Sequence, residues 1–215
     1  MKEPYRIFLL SPAQVGGRRT DVLVSPRATF PLAVQLRAPG GAPLGDVMSF
    51  LSGLYFRGKL AYARAFARPP RRVAAATGGG VLVITSHAGL VPAETPVTPE
   101  VLTAAARVDI AANNPGYREP LAADARALAA SLGKSCDVVL LGSIASAKYV
   151  DVLDGIFGDR LRFPIEFVGR GDMSRGGLML RCARESRQLT YVPVRGAVRH
   201  GVRPPKLPPI RYATR

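Results

Sequence analysis

The chain has 215 residues, which is enough for one large domain or two small ones with a substantial core. Hydrophobic residues make up 47% of it, and this share excludes a chain that is disordered by composition. Lys and Arg number 30 against 15 Asp and Glu, so the net charge is +15. Such a charge favours a polyanionic partner held by salt-dependent contacts; nucleic acid is the first candidate, and a generic basic surface is the alternative.

Cysteine use and the apolar runs indicate the compartment. Cys136 and Cys182 belong to no CxxC or Cys/His pattern, so we expect no disulfide framework, no metal site and no cofactor, in a reducing cytoplasm. The charged start and the short apolar run over 7–10 predict no signal peptide. No stretch approaches the roughly 20 apolar residues of a membrane helix, so we expect no membrane partner, and we favour a monomer.

Hydrophobic periodicity predicts the elements of the first half of the chain. The clearest pattern lies over 43–67, where apolar residues recur at helical spacing and Gly53 and Gly58 interrupt them, which predicts two helices with a bend. Around it we expect, in chain order, a strand over 7–10 that ends at Ser11-Pro12, a Gly/Arg loop over 16–19, a helix over 29–37, a Pro/Arg/Gly loop over 68–80 and a buried strand over 81–85.

The second half continues the alternation of short apolar strands with helices. We expect helices over 99–106, 120–132 and 147–157, strands over 137–142 and 163–168, and a β-hairpin of 178–183 with 190–194. The whole pattern predicts a single compact α/β domain over residues 1–196, with a mixed, partly parallel central sheet flanked by helices. A basic, Pro-rich extended tail over 197–215 follows it.

Polar segments directly follow the predicted buried strands. They lie at 11–14, 86–89, 142–145 and 169–172. If the strands are parallel, these segments converge at one edge of the sheet, where ligands bind in open α/β folds. Each segment alone is typical of an ordinary turn, because Ser, Gly and Asp dominate turns, whereas the group together favours a ligand site.

The segment over 169–177 combines glycines with two arginines. Arg170, Ser174 and Arg175 suit a backbone that approaches a phosphate closely with guanidinium forks added, and Asp172 could pin one arginine. The alternative is a flexible Gly-rich turn. We predict that this segment is the main anion contact.

Other candidate ligands are scattered along the chain. Tyr55, Arg57 and Lys59 would stack on a base and pair with phosphate, although a helix with core aromatics and solvated charges explains the same pattern. The remaining predicted phosphate ligands are Arg18, Arg19, Ser143 and Lys148.

These residues predict nucleic-acid binding, to DNA first, through a basic cleft with weak sequence preference. The alternative is an enzyme that acts on a nucleotide or nucleobase in the same crevice, with Ser11 at the site and His87 or Asp172 transferring protons. For His87 alone we favour a structural histidine over a proton-transfer residue. A module that binds an acidic protein is a third possibility.

Several segments resemble the YaaA family of peroxide-stress proteins, in the same order along the chain. They are Leu9-Leu10-Ser11-Pro12-Ala13, Ser86-His87-Ala88-Gly89-Leu90-Val91-Pro92, Ser143-Ile144-Ala145-Ser146-Ala147-Lys148-Tyr149, Phe163-Pro164-Ile165 and Ser174-Arg175-Gly176-Gly177-Leu178-Met179-Leu180-Arg181.

The resemblance implies an α/β fold with a positively charged cleft, DNA binding and a role in limiting oxidative DNA damage. The chain departs from the family at Gln14, where the family has Lys, and in the helical region over 43–67. The helix-hairpin-helix element of that family is not recognisable here.

Overall fold

A computed structural model describes residues 4–133 and 135–207 of the chain. Its strands are β1 (Tyr5–Leu10), β2 (Ala42–Pro43), β3 (Val81–Ile84), β4 (Leu90–Pro92), β5 (Pro96–Val97), β6 (Cys136–Leu141), β7 (Leu161–Pro164) and β8 (Tyr191–Pro193). Its helices are α1 (Arg18–Val24), α2 (Pro31–Arg37), α3 (Leu44–Ser52), α4 (Leu54–Phe66), α5 (Arg71–Ala74), α6 (Pro99–Ala106), α7 (Pro115–Ser131), α8 (Ala147–Phe157) and α9 (Asp172–Arg184).

The fold is the predicted α/β class, a single domain built on a mixed, mostly parallel sheet. The sheet order is β4-β3-β1-β6-β7-β8. β3, β1, β6 and β7 are parallel to their neighbours in that order, while β4 and β8 pair antiparallel at the two edges. The central strands are apolar throughout because helices cover both of their faces.

Alternation along the central strands divides the core into two layers. Phe8 and Leu10 of β1 pack with α3, α4 and α9 on one face, whereas Ile7 and Leu9 pack with α7 and α8 on the other. All four side chains are fully buried. This period-2 separation lets a single short strand serve both layers.

Helices α4 and α9 are in backbone contact on the first face. A Cβ added to Gly58 would lie 2.5 Å from the Gly176 carbonyl oxygen, and one added to Gly176 would lie 2.7 Å from that of Leu54. Glycine is needed at both positions because any side chain would separate the two helices.

Several predicted elements in the first half have different limits in the structure. The loop predicted over 16–19 contains the start of α1, and the loop over 68–80 contains the short helix α5 and is tied to β1 by backbone bonds between Arg6 and Arg68. The helix predicted from 120 begins at Pro115, where the Asn114 side chain caps it by accepting from the Gly116 N–H at 3.0 Å.

The predicted hairpin near the end of the domain is wrong. Residues 178–183 lie inside α9, and their burial has helical spacing, since Leu178, Met179 and Cys182 face the core together. The Gly-rich segment before them suggests a turn, but Gly176 lies inside α9 and serves the contact with α4. β8 pairs instead with β7, which ends at Pro164 and is followed by a 3₁₀ turn.

The described part of the basic tail lies against the domain. Leu207 packs on the core layer of α4 and α9, and a Cβ on Gly201 would lie 2.5 Å from the Val168 side chain. The rest of the predicted tail, 208–215, is outside the described residues. Over 4–133 and 135–207, no helix has both the length and the apolar character needed to cross a membrane.

Candidate functional site

The parallel strands bring the predicted polar segments to one cleft. Ser11, Ser86, Ser143 and Asp172, one residue from each segment, line a cavity of about 820 Å³ at the carboxyl-terminal edge of the sheet. A volume of this size suits a small-molecule ligand. The position is the one at which open α/β sheets bind ligands, because loops of several strands meet there.

A buried lysine contacts Ser11 at the floor of this cleft. The Lys59 Nζ donates to the Ser11 Oγ at 2.7 Å and to the Ser11 carbonyl oxygen at 3.1 Å. Nζ also lies 4.0 Å from the centroid of the Tyr55 ring. Only 1% of Lys59 and 6% of Ser11 is exposed, so the pair is held in a fixed geometry away from bulk water.

The electrostatic environment of Lys59 disfavours its charged form. No carboxylate of the described residues lies within 4 Å of Nζ to form an ion pair. Burial lowers the pKa of Lys59 to about 7; Asp172 opposes this shift, and Arg175 adds to it. A substantial fraction of Lys59 is therefore neutral near pH 7 and able to accept a proton.

Local sequence accounts for the meeting of these side chains. Tyr55 and Lys59 are four residues apart on α4 and therefore share a face of the helix. Ser11 directly follows β1 and precedes Pro12, and its N–H donates to the Leu141 carbonyl oxygen at 3.1 Å. The two strand ends are thereby fastened together, and Ser11 is placed under α4.

Tyr149 completes the floor of the cleft. Its hydroxyl donates to the Ser143 carbonyl oxygen at 2.9 Å and accepts from the Ser143 N–H at 3.1 Å. A Cβ on Gly142 would lie 2.6 Å from the Ser11 Cβ and 3.0 Å from the Tyr149 hydroxyl, so only glycine permits this packing. Burial raises the pKa of Tyr149, which keeps its hydroxyl protonated.

Charged residues of both signs surround the opening. Arg107 and Lys148 are exposed there, and within the described part of the chain their side chains make no ion pair or hydrogen bond. Asp109 and Asp172 lie on the same lining. The cleft is therefore mixed in charge, and most of the net positive charge lies elsewhere on the surface.

The arginines of the segment over 169–177 bond to carbonyl oxygens of the 3₁₀ turn Ile165–Phe167 that precedes it. The Arg175 Nε and Nη2 donate to the Phe167 carbonyl oxygen at 3.2 and 3.1 Å, and Arg175 lies 3.6 Å from Asp172, the pairing that the sequence suggested. Arg170 donates to the Glu166 carbonyl oxygen at 3.0 Å and to the Ser174 hydroxyl at 3.2 Å. Of this segment, Asp172 alone lies on the cleft lining as the described residues define it.

The predicted basic ligands near the N-terminus lie away from this cleft. Arg19 donates to the carbonyl oxygens of Phe50 and Leu51 at 3.3 and 3.2 Å and so caps the end of α3. It lines a second groove with Arg57, which lies on a different face of α4 from Lys59. Arg18 is exposed at the start of α1.

His87 is separated from the other predicted proton-transfer residues. It lines a neighbouring, mostly apolar cavity of about 260 Å³ whose walls include Met48 and Leu102. Its buried Nδ1 has no hydrogen-bond partner among the described residues. The structure therefore brings Ser11 and Asp172 to one cleft but leaves His87 outside its lining.

The site also contains residues that the sequence analysis missed. Tyr149 ended a segment used for the family resemblance but was not assigned to the site, although a Ser-rich turn followed by Tyr after a buried strand was available as a signal. Arg107 and Asp109 follow α6, and no local pattern indicates that they reach the cleft.

No protein-family model, curated protein or solved structure matches this chain. The resemblance to the YaaA family stays a prediction that depends on the quoted segments.

Proposed function

We propose that the protein binds nucleic acid and that the cleft at the carboxyl ends of β1, β3, β6 and β7 receives one nucleotide unit of it. The observation that carries this proposal is a cleft of about 820 Å³ with unpaired Arg107 and Lys148 at its opening. Unpaired cations beside a concave site are free to pair with phosphate.

The mixed charge of the cleft suits a nucleotide better than a bare polyanion. Phosphate oxygens would accept from Arg107, Lys148 and the N–H groups at the start of α8. The carboxylates of Asp109 and Asp172 would accept from the amino and hydroxyl groups of a base and sugar. A nucleotide has phosphate oxygens at one end, which accept hydrogen bonds, and amino and hydroxyl groups on its base and sugar, which donate them.

The net charge of +15 supports attraction of a polymer rather than a free mononucleotide. Many exposed arginines, among them Arg18 and Arg57, lie outside the cleft, where they would contact flanking phosphates. Such contacts release counterions, so binding weakens with salt by a log–log slope of roughly −0.9 per phosphate contact on duplex DNA and −0.7 on single strands.

A paired substitution tests the cleft separately from the overall charge. Lys148→Ala removes an exposed charge at the cleft, and Arg126→Ala removes an exposed charge on α7 that lines a different groove. We expect Lys148→Ala to weaken binding of a fluorescent single-stranded oligonucleotide roughly 10-fold, the value of one charge-assisted contact, and Arg126→Ala to weaken it much less.

Fluorescence anisotropy across a salt series, with duplex DNA and RNA of the same sequence in parallel, gives both measurements. Absence of binding at low salt contradicts the function. Equal losses in Lys148→Ala and Arg126→Ala would show that charge alone attracts the polymer and that the cleft is not its site.

A second candidate is an enzyme acting on the nucleotide in the cleft. The observation that favours it is the buried Lys59 within 2.7 Å of the Ser11 hydroxyl. His87 lies outside the cleft lining, whereas Asp172 and Lys59 both lie on it, and Lys59 is the residue that contacts the Ser11 hydroxyl.

A further inference from the structure

We propose that Ser11 and Lys59 form a nucleophilic dyad, in which Lys59 is the general base that activates the Ser11 hydroxyl toward a phosphorus atom in the cleft. The nature of the natural substrate, a nucleotide phosphoester, rests on the proposed function. The dyad itself rests on the geometry of these two side chains.

The distance between the two atoms is the one that proton transfer requires, and the bond reverses its direction when neutral Lys59 accepts from the Ser11 hydroxyl. Nζ and Oγ are 2.7 Å apart, and a general base must lie within about 2.6–3.2 Å of the atom whose proton it removes. The second bond of Nζ, to the Ser11 carbonyl oxygen, fixes the amine over the same residue. Both residues line the cleft, so a bound substrate lies against Ser11.

The position of Lys59 is costly for a purely structural residue. A buried ammonium without a paired carboxylate is destabilising, and an apolar side chain of similar length would fill the same space without that penalty. Lysines in clefts whose pKa is shifted by burial are typical of functional sites. The Tyr55 ring under Nζ provides only a partial offset through its π face.

The charged and titratable groups around Nζ come from three helices. Tyr55 lies on the same helix, Asp172 and Arg175 face it from α9, and Tyr149 lies on α8 beside Ser11. Burial places the pKa of Lys59 at about 7, whereas burial keeps both tyrosines protonated. Of Lys59, Tyr55 and Tyr149, Lys59 is therefore the group that changes charge near neutral pH.

The reaction step balances without another reactant. Neutral Lys59 takes the proton from the Ser11 Oγ, and Oγ forms a bond to phosphorus as the bond from phosphorus to the leaving oxygen breaks. The Lys59 ammonium then gives its proton to the leaving alkoxide, and Ser11 is left as a phosphoester. Tyr149 is a positioning residue, because it shares with Ser11 the space that Gly142 leaves open.

An alkyl fluorophosphonate tests the dyad in the intact chain without any nucleic acid. Attack by Ser11 forms the Oγ–P bond and expels fluoride, and mass spectrometry of the protein and its peptides locates the adduct. We expect one adduct per chain, on Ser11, with a labelling rate that rises with pH through about 7 as Lys59 loses its proton.

Three variants separate catalysis from structure. Ser11→Ala should lose the adduct, whereas Ser131→Ala, on α7 outside the cleft, should label as the unaltered protein does. Lys59→Arg keeps a cation but cannot act as a base near neutral pH, so labelling should fall roughly 100-fold or more. Circular dichroism establishes whether each variant is folded.

The outcomes distinguish this proposal from the proposed function. Absence of an Ser11 adduct, or a labelling rate that is flat between pH 6 and 8 in the unaltered protein, overturns the dyad even if Lys59→Arg fails to fold. Labelling of Ser11 without any nucleic-acid binding supports the dyad and overturns the proposed function. Nucleic-acid binding without labelling leaves the function in place and removes the dyad.

Discussion

At the scale of the residue, Lys59 is the side chain on which the proposed dyad depends. Only 1% of the residue is exposed, and the hydrogen bonds of its amine are to the oxygens of Ser11 rather than to a carboxylate. By contrast, Arg170 and Arg175, which the sequence predicted as ligands, bond to carbonyl oxygens of the preceding 3₁₀ turn.

The depressed pKa of Lys59 makes the stability of the protein depend on pH. Below pH 7 the amine is protonated in both states, but between about 7 and 10.5 the unfolded chain binds the proton more tightly, so the free energy of unfolding rises with pH. We expect a gain of roughly 2 kcal/mol between pH 7 and 9 relative to Lys59→Met, measured by urea unfolding at several pH values.

The pH range of this prediction ends near pH 9 because a second group, Cys136, also changes the pH dependence of stability. Burial raises the pKa of the Cys136 thiol to about 11. Above pH 9 the unfolded thiol ionises first, which lowers stability in both proteins alike. Parallel stability curves for the unaltered protein and Lys59→Met would mean that Lys59 keeps its ordinary pKa in the fold.

At the scale of the element, the glycine crossing of α4 and α9 positions the site. The two backbones touch at Gly58 and Gly176, and this contact places the first turn of α9, with Asp172, beside the face of α4 that carries Tyr55 and Lys59. Close approach of the helices is thus a condition for the geometry of the cleft.

Substitution of a single methyl group tests this crossing. Gly58→Ala places a Cβ 2.5 Å from the Gly176 carbonyl oxygen, which is backbone and cannot rotate away. We expect a loss of roughly 1–3 kcal/mol in the free energy of unfolding, as for other overpacked contacts. Chemical denaturation followed by circular dichroism measures it.

Gly155→Ala is the matched control, since Gly155 lies within α8 and an added Cβ meets nothing within 4 Å. It should be neutral or stabilising by about 0.5–1 kcal/mol, because alanine favours the helix. Equal effects in the two variants would show that helix propensity, and not the crossing, determines the result.

At the scale of the whole molecule, the sheet unites distant parts of the chain. β1 lies between β3 and β6, while β8 joins the far edge near the end of the described residues. Segments from both halves of the chain also line the cleft. A site assembled in this way forms only when the whole sheet is in place.

We therefore expect the chain to unfold as one cooperative unit. Calorimetry should give a single transition, and near- and far-ultraviolet circular dichroism should share its midpoint. Limited trypsin digestion at the arginines over 68–80 should not release two stable fragments, because such a cut separates β1 from β3. Two stable fragments of similar size would contradict the single domain.

Local sequence was sufficient for much of the fold. The helices over 99–106 and 147–157 have the predicted limits, and the region over 43–67 divides at Gly53 into α3 and α4. The buried strands predicted over 7–10, 81–85 and 137–142 were also in place, since short apolar runs bounded by Gly and Pro depend on neighbours in the chain, whereas the strand predicted over 163–168 lies at Leu161–Pro164. The α/β class and the meeting of the strand ends followed from that order.

Tertiary structure alone decided the rest, because it depends on contacts between residues far apart in the chain. α9 is a helix although the Gly-rich segment at its start suggested a turn and then a strand, since Gly176 is used against α4. Lys59 could be recognised as a cation in the sequence, but its burial over Ser11, 48 residues away, follows from the packing of α4 on β1. Tertiary packing also keeps His87 out of the cleft lining, because the helices that pack around the loop after β3 determine which cavity its side chain faces.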